Sequence, residues 1–249
     1  MKRFKERLES GSPVLGTSIL FEAPGLIESL SGQDWDWFWL DGQHALRQHT
    51  WLEHIRACEL IDIPPVIRVP SCDGHFISQA LDLGAWDIMV PMVESADQAR
   101  EAVRAAHFPP LGSRSAVGTR PIALGGMAYL ELAARWTTLI VQIETKTGMD
   151  HLDEIAVVPG VDAILIGTGD LRLSMGIPLT ETPKEIEEAV QRVGRVCQNL
   201  GKYAGIICAP EQIPLRREQG YCFFAMGMSL TILSDYMKQM LSKTKKFAE

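Results

Sequence analysis

The chain has 249 residues, 46% of them hydrophobic, and a formal net charge of −7. That length suits one barrel or two small domains with a sizeable apolar core. Acidic and basic residues are mixed along the chain, which excludes the basic face that nucleic acid needs, and no run approaches the ~20 apolar residues of a membrane span.

Taken in chain order, short apolar β-rich runs alternate with longer helical stretches. Strands are predicted at Val14–Leu20, Trp37–Leu40, Pro65–Val69, Asp87–Val90, Leu139–Ile143, Ala163–Ile166, Tyr203–Ile207 and Cys222–Met226. Each run is apolar on successive residues, the pattern of strands buried on both faces in a parallel sheet. Between them, Thr50–Leu60 has helical apolar spacing, Ser95–Ala106 opens with Ser95 and Gln98 at capping-box spacing, and Pro183–Leu200 carries Ile186, Ala189, Val190, Val193, Val196 and Cys197 on one stripe. Eight β–α alternations in a chain this long favour a closed barrel over an open doubly wound sheet. The first turns also lack a G-x-G-x-x-G fingerprint. The expectation is an α/β chain forming a single (β/α)8 TIM barrel over residues 1–249. One segment breaks the rhythm: Phe108–Ala134, rich in Pro and Gly, reads as a long ordered loop after the fourth strand with one short helix inside.

The remaining features are plain. Cys58, Cys72, Cys197, Cys208 and Cys222 are scattered and form no C-x-x-C pair, which argues against a disulfide framework or structural zinc and for a reducing compartment. The N-terminus is charged with no apolar run behind it, so a soluble cytoplasmic protein is expected. The basic tail Lys243–Lys246 reads as a solvated helix end.

A barrel demands that its active groups lie at the C-terminal ends of strands. Asp41-Gly42-Gln43-His44 follows the second strand and Arg68 ends the third. Gln142 and Glu144 end the fifth, one residue apart and so on the same side of the pleat; Gly167-Thr168-Gly169-Asp170 follows the sixth. Glu144 and Asp170 are hard oxygen ligands suited to Mg²⁺ or Mn²⁺; the alternative is a pair of acids bonded to backbone or arginines. Arg68 is either a structural salt-bridge partner or a cation for a developing oxyanion. His44 is a loop histidine or a general acid/base. His49, His54, His75, His107 and His151 are assigned no role. The Gly167–Asp170 loop can expose N–H groups to a carboxylate, although glycine is also the default turn residue.

Seven ordered motifs resemble the class II pyruvate aldolases of the HpcH/HpaI group, from about Phe4 to about Leu233. They are Asp41-Gly42-Gln43-His44, Val66-Ile67-Arg68-Val69-Pro70, Leu81-Asp82-Leu83-Gly84-Ala85, Val90-Pro91-Met92-Val93, Pro109-Pro110-Leu111-Gly112-Ser113-Arg114, Val141-Gln142-Ile143-Glu144-Thr145 and Ile166-Gly167-Thr168-Gly169-Asp170-Leu171. The resemblance implies a barrel of the phosphoenolpyruvate/pyruvate-binding type. It implies a divalent cation (Mg²⁺, Mn²⁺ or Co²⁺) on Glu144 and Asp170, Gln142 beside a bound 2-oxo acid, and Arg68 at the enolate oxygen. N–H groups of Gly169 and Asp170 would take the substrate carboxylate. His44 would form part of the base, acting through a water on the metal, supported by Asp82 of a neighbouring subunit. The implied assembly is a homohexamer with an exchanged C-terminal helix, and the implied reaction is cleavage of a 4-hydroxy-2-oxo acid into pyruvate, or a related 2-oxo acid, and an aldehyde. No strand ends in a lysine placed for a Schiff base.

Three departures from the family pattern bear on substrate. Gln43 stands where the family has Glu, Thr168-Gly169 replaces Pro and its neighbour, and Arg172 replaces a small Ser. Losing the proline frees the carboxylate loop, and Arg172 adds a positive charge suited to an acidic aldehyde. Two rival readings remain: another enolate reaction at the same site (decarboxylation, biosynthetic condensation or citrate-lyase-like cleavage), or a non-catalytic 2-oxo acid binder.

Overall fold

The strands are β1 (Val14–Ile19), β2 (Trp37–Asp41), β3 (Pro65–Arg68), β4 (Asp87–Val90), β5 (Thr138–Ile143), β6 (Ala163–Ile166), β7 (Tyr203–Ile207) and β8 (Tyr221–Met228). All pair in parallel, in chain order, and β8 returns to β1 to close the barrel. The structure, a computed structural model, describes residues 2–180 and 183–248. Every expected apolar run is a strand within one or two residues of its predicted bounds.

The helices in the described residues are α1 (Phe4–Glu9), α2 (Pro24–Glu28), α3 (Trp51–Leu60), α4 (Gly74–Asp82), α5 (Ala96–Ala106), α6 (Arg120–Gly125), α7 (Ala128–Trp136), α8 (Lys146–Asp150), α9 (Leu152–Ala156), α10 (Thr168–Ser174), α11 (Lys184–Leu200), α12 (Ile213–Glu218) and α13 (Ser229–Ala248). Two expectations need correcting. The Phe108–Ala134 segment lies between the fourth and fifth strands as expected, beyond α5, but it contains α6 and most of α7, not one short helix. The glycines and prolines there punctuate helices: Pro121 sits in the first turn of α6 and Gly126 caps its end at φ 63°. The expected capping box of α5 is half formed. Ser95 Oγ accepts from the Gln98 N–H at 3.2 Å, but the Gln98 side chain turns to the Glu94 N–H at 2.7 Å.

The pleat divides the core into two. Val14, Trp37, Trp39, Val66, Met89, Ile140, Ala163, Leu165, Phe223 and Ala225 fill the barrel interior, and the alternate residues pack outward against the helices. Large rings inside need small partners. A Cβ on Gly205 would lie 2.0 Å from the Phe223 ring, so only glycine fits opposite it. The N-terminal end is closed by α1. Phe4 is fully buried and stacks at 5.3 Å from Trp37 and 5.6 Å from Phe223. Burying such a ring stabilises by about 1.5–3 kcal/mol. The base is thus shut, and polar side chains on the opposite rim face an open mouth.

No helix among the described residues is long and apolar enough to cross a membrane. The last helix, α13, runs off the end of β8 with every residue from Leu230 to Phe247 exposed, among them Leu233, Tyr236, Met237, Met240 and Leu241.

Candidate active site at the C-terminal mouth

The register of β2 against β3 places Asp41 opposite Arg68. Both side chains face inward and both are buried, at 2% and 6% exposure. Arg68 Nε donates to Asp41 Oδ1 at 2.9 Å and Arg68 Nη2 to Asp41 Oδ2 at 2.6 Å, a fork-to-carboxylate pair. Arg68 Nη1 also reaches Gln142 Oε1 at 3.4 Å. The guanidinium lies 4.6 Å over the Trp39 ring. The two readings left open for Arg68 are therefore not exclusive. It is ion-paired on one edge, which fixes it, and it still borders the mouth cavity on another. Asp41, to which the sequence reading assigned no role of its own, organises the next turn as well. Its Oδ1 accepts from the Gln43 and His44 N–H groups at 3.0 and 3.3 Å, so His44 starts from a fixed backbone.

Glu144 follows β5 and is 1% exposed. Burial raises its carboxyl pKa to about 7, against the opposing pull of the Met92 N–H and Arg68; Asp170 and Asp41 push it further up. Oε1 accepts from the Met92 N–H at 2.9 Å. Met92 holds φ at 54°, a left-handed conformation rare for a non-glycine residue, and this turn aims its N–H at the carboxylate. Oε2 has no hydrogen-bond partner. A Cβ placed on Gly167 would lie 2.7 Å from that oxygen and 3.0 Å from Gln142 Nε2, so glycine here keeps a small space between the two side chains.

Asp170 is exposed and lies in the first turn of α10, not in a loop. The helix start leaves the first-turn N–H groups without intrahelical acceptors, Gly169 among them. The mouth cavity, about 370 Å³, is lined by Ser18, Trp39, Asp41, His44, Arg68, Gln142, Gly167, Thr168, Gly169 and Asp170 with an apolar rim. Six of the seven expected site residues thus come together, with Glu144 beside Gly167. The seventh, Asp82, does not. It pairs with Arg114 at 2.9 Å and lines a separate cavity with Ser78 and Arg104. Arg172 also lies outside, in an adjoining cavity of about 490 Å³ with Glu187 and Arg216, which meets the mouth at Thr168, Ile207 and Gly227.

A hard divalent cation suits this donor set. One buried carboxylate has a free oxygen, a second acid stands at the rim, and Gly167 puts no side chain against that free oxygen. Among the described residues no three of His, Cys, Asp or Glu gather as a closed cage, so a cation here would take its remaining ligands from substrate and water, as Mg²⁺ commonly does.

Residues 19–235 match the HpcH/HpaI aldolase/citrate lyase family. A hydroxypyruvate/pyruvate aldolase from Deinococcus radiodurans is 34% identical, over 97% of this chain and 89% of that protein. A 4-hydroxy-2-oxo-heptane-1,7-dioate aldolase from Escherichia coli is 36% identical, over 93% and 90%. The crystal structure of the citrate synthase SbnG superposes with a TM-score of 0.91 at 28% identity, covering 99% of this chain and 98% of that one.

Proposed function

Because the chain belongs to the HpcH/HpaI aldolase/citrate lyase family, whose matched relatives are carbon–carbon lyases named as aldolases, we propose that it is a metal-dependent class II aldolase. It would cleave 4-hydroxy-2-oxo acids, or form them, with pyruvate or a related 2-oxo acid and an aldehyde as the other side of the reaction. The observation that carries this reading is the partnerless Glu144 Oε2 beside Gly167, within the rim that Arg68, Gln142 and Asp170 share.

Glu144 and Asp170 would hold Mg²⁺, Mn²⁺ or Co²⁺, which when bound supplies Lewis-acid polarisation of the 2-oxo group. The first-turn N–H groups of Gly169 and Asp170 receive the substrate carboxylate, and Gln142 orients the keto acid. His44 removes the proton from the 4-hydroxyl group. The C3–C4 bond then breaks, the aldehyde leaves, and the electron pair of that bond settles as an enolate. Arg68 donates to the enolate oxygen. Its pairing with Asp41 fixes the guanidinium before the charge develops, so little reorganisation is needed at that moment. Protonation at C3 completes the cleavage.

The reading extends to assembly. Asp82 lies away from its own mouth, so its support of His44 requires a second subunit, and the exposed apolar side chains of α13 suit an exchanged helix in a homohexamer. Sedimentation at micromolar concentration tests this; a monomer throughout removes Asp82 from the site.

A second reading has one observation behind it, the superposition on a citrate synthase: the same enolate could be used in a biosynthetic condensation. The deciding experiment is pyruvate release from 4-hydroxy-2-oxoheptanedioate and shorter 4-hydroxy-2-oxo acids, with each cation and then with EDTA. Cation-dependent release that Glu144→Ala reduces on the order of a thousandfold supports the aldolase. No release, with condensation of oxaloacetate instead, favours the second reading.

A further inference from the structure

The mouth holds polar groups to which the proposed reaction assigns no task. Ser18 lies near the C-terminal end of β1. Val14 on the same face of that strand belongs to the interior cluster, so the pleat points Ser18 inward as well. It lines the cavity with Arg68, Asp41 and Gln142. It is 4% exposed, and its Oγ has no hydrogen-bond partner. The next residue back, Thr17, gives its hydroxyl to the Gly227 carbonyl at 3.2 Å, so a hydroxyl in this strand can find a backbone acceptor when it faces the other way. Ser18 sits opposite Trp39 in the β1–β2 register. The Trp39 indole Nε1 is also buried without a partner, and Trp39 lines the same cavity. The β1–β8 register slips between Gly16 and Ser18. The extra residue lies on β8, so the alternation of β1 that turns Ser18 inward is unbroken.

Buried hydroxyl and indole groups in proteins are nearly always bonded. Two that are not, adjacent across one strand pair and on the wall of a substrate cavity, match a ligand oxygen. We infer that Ser18, together with the Trp39 N–H, is a specificity-determining subsite for a substrate hydroxyl, so that the enzyme prefers hydroxyl-bearing reactants over their deoxy counterparts. This rests on the aldolase reading above. The hydroxyl has two chemical sources: carbon 3 of the 2-oxo acid, as in 3-hydroxypyruvate, or carbon 2 of the aldehyde, as in glycolaldehyde. The serine contributes one donor and two acceptor lone pairs, which suits a group that itself both donates and accepts. A site that hydrogen-bonds a substrate hydroxyl rejects the analogue without it, because its own polar groups are then left unpaired.

The test is a grid of aldol additions by the full-length, metal-loaded enzyme. The donors are pyruvate and 3-hydroxypyruvate; the acceptors are acetaldehyde and glycolaldehyde. kcat/KM is measured for the wild type, Ser18→Ala and Ser18→Thr. The expected result is a five- to tenfold loss, about the worth of one neutral hydrogen bond, when Ser18→Ala meets reactants carrying the hydroxyl at one of the two positions. The deoxy pair should be nearly unaffected, and Ser18→Thr should recover part of the loss. Which row or column falls identifies the source of the hydroxyl. Equal losses in all four pairs, or none in any, overturn the subsite while leaving the aldolase standing. A wild type inactive with every pair overturns both. The thermal midpoint of Ser18→Ala should not fall, since no internal hydrogen bond is removed; a marked drop shows that the hydroxyl bonds within the protein and likewise ends the proposal.

Discussion

The two ends of the barrel each bury a carboxyl group whose pKa desolvation raises to about 7, Glu144 at the mouth and Asp87 at the base. Each also keeps one oxygen without a partner. Their surroundings differ. Around Glu144 stand Arg68, Gln142, Gly167 and Asp170, with a cavity in reach. Around Asp87 the nearest cations are already engaged: Arg3 stacks 3.7 Å over Trp86, and Lys5 is paired with Asp162 at 2.8 Å. The Phe4 ring closes the interior above them. A shifted carboxyl is thus not by itself a sign of function; convergence of unlike polar groups on open space is what separates the two.

The largest expected combined effect on stability and turnover comes from removing the guanidinium that fixes the mouth. Arg68→Ala should leave Asp41 buried and unpaired, costing about 3–5 kcal/mol of stability, and should lower pyruvate release on the order of a hundredfold or more. Urea midpoints and turnover are read together; lost turnover with unchanged stability would mean that the pair is not buried as described. At the base, Phe4→Ala should cost about 3–5 kcal/mol and leave kcat of the folded enzyme unchanged. A fall in kcat there would break the separation between the two ends.

The pH comparison is smaller. Asp87 binds its proton more tightly when folded than when unfolded, so its contribution is present below about pH 4 and is lost as pH rises towards about 7. Asp87→Asn cannot ionise. The wild type should lose several degrees of thermal midpoint over that window relative to the variant; parallel curves would mean that Asp87 stays ionised beside Arg3 and Lys5. The smallest effect is on the barrel wall. Ser95→Ala removes the cap of α5, about 1 kcal/mol, and should be silent in activity.

The strands were legible because burial on both faces writes itself as unbroken apolar runs, and the rim residues because each stands directly after such a run. Arg68 could be placed at the mouth from sequence but not given its partner, since the pairing with Asp41 depends on the β2–β3 register. Met92 was legible only as part of a family motif. Nothing in its residue type signals a positive φ or an N–H aimed at Glu144. Ser18 and Trp39 carry no signal in the sequence, because inside an apolar strand pattern a single hydroxyl and an indole look like packing. From sequence Gly167 reads as part of a carboxylate-binding loop or as a turn glycine, while its importance lies in the side chain it lacks. Asp82 illustrates the opposite limit: the motif was visible, but a single chain does not bring it to the site.

Closure of the barrel has a consequence for synthesis. The seam between β1 and β8 joins positions far apart in sequence; the bond from Thr17 to Gly227 spans 210 residues. At roughly 5–20 residues per second on the ribosome, β1 waits tens of seconds for the strand that completes its hydrogen bonding. Through that interval the nascent sheet carries two raw edges, the feature that recruits foreign strands. The rim that Ser18 shares with Gly227 is therefore among the last parts of the molecule to exist, and a chain released before β8 emerges would have most of its core and no finished mouth.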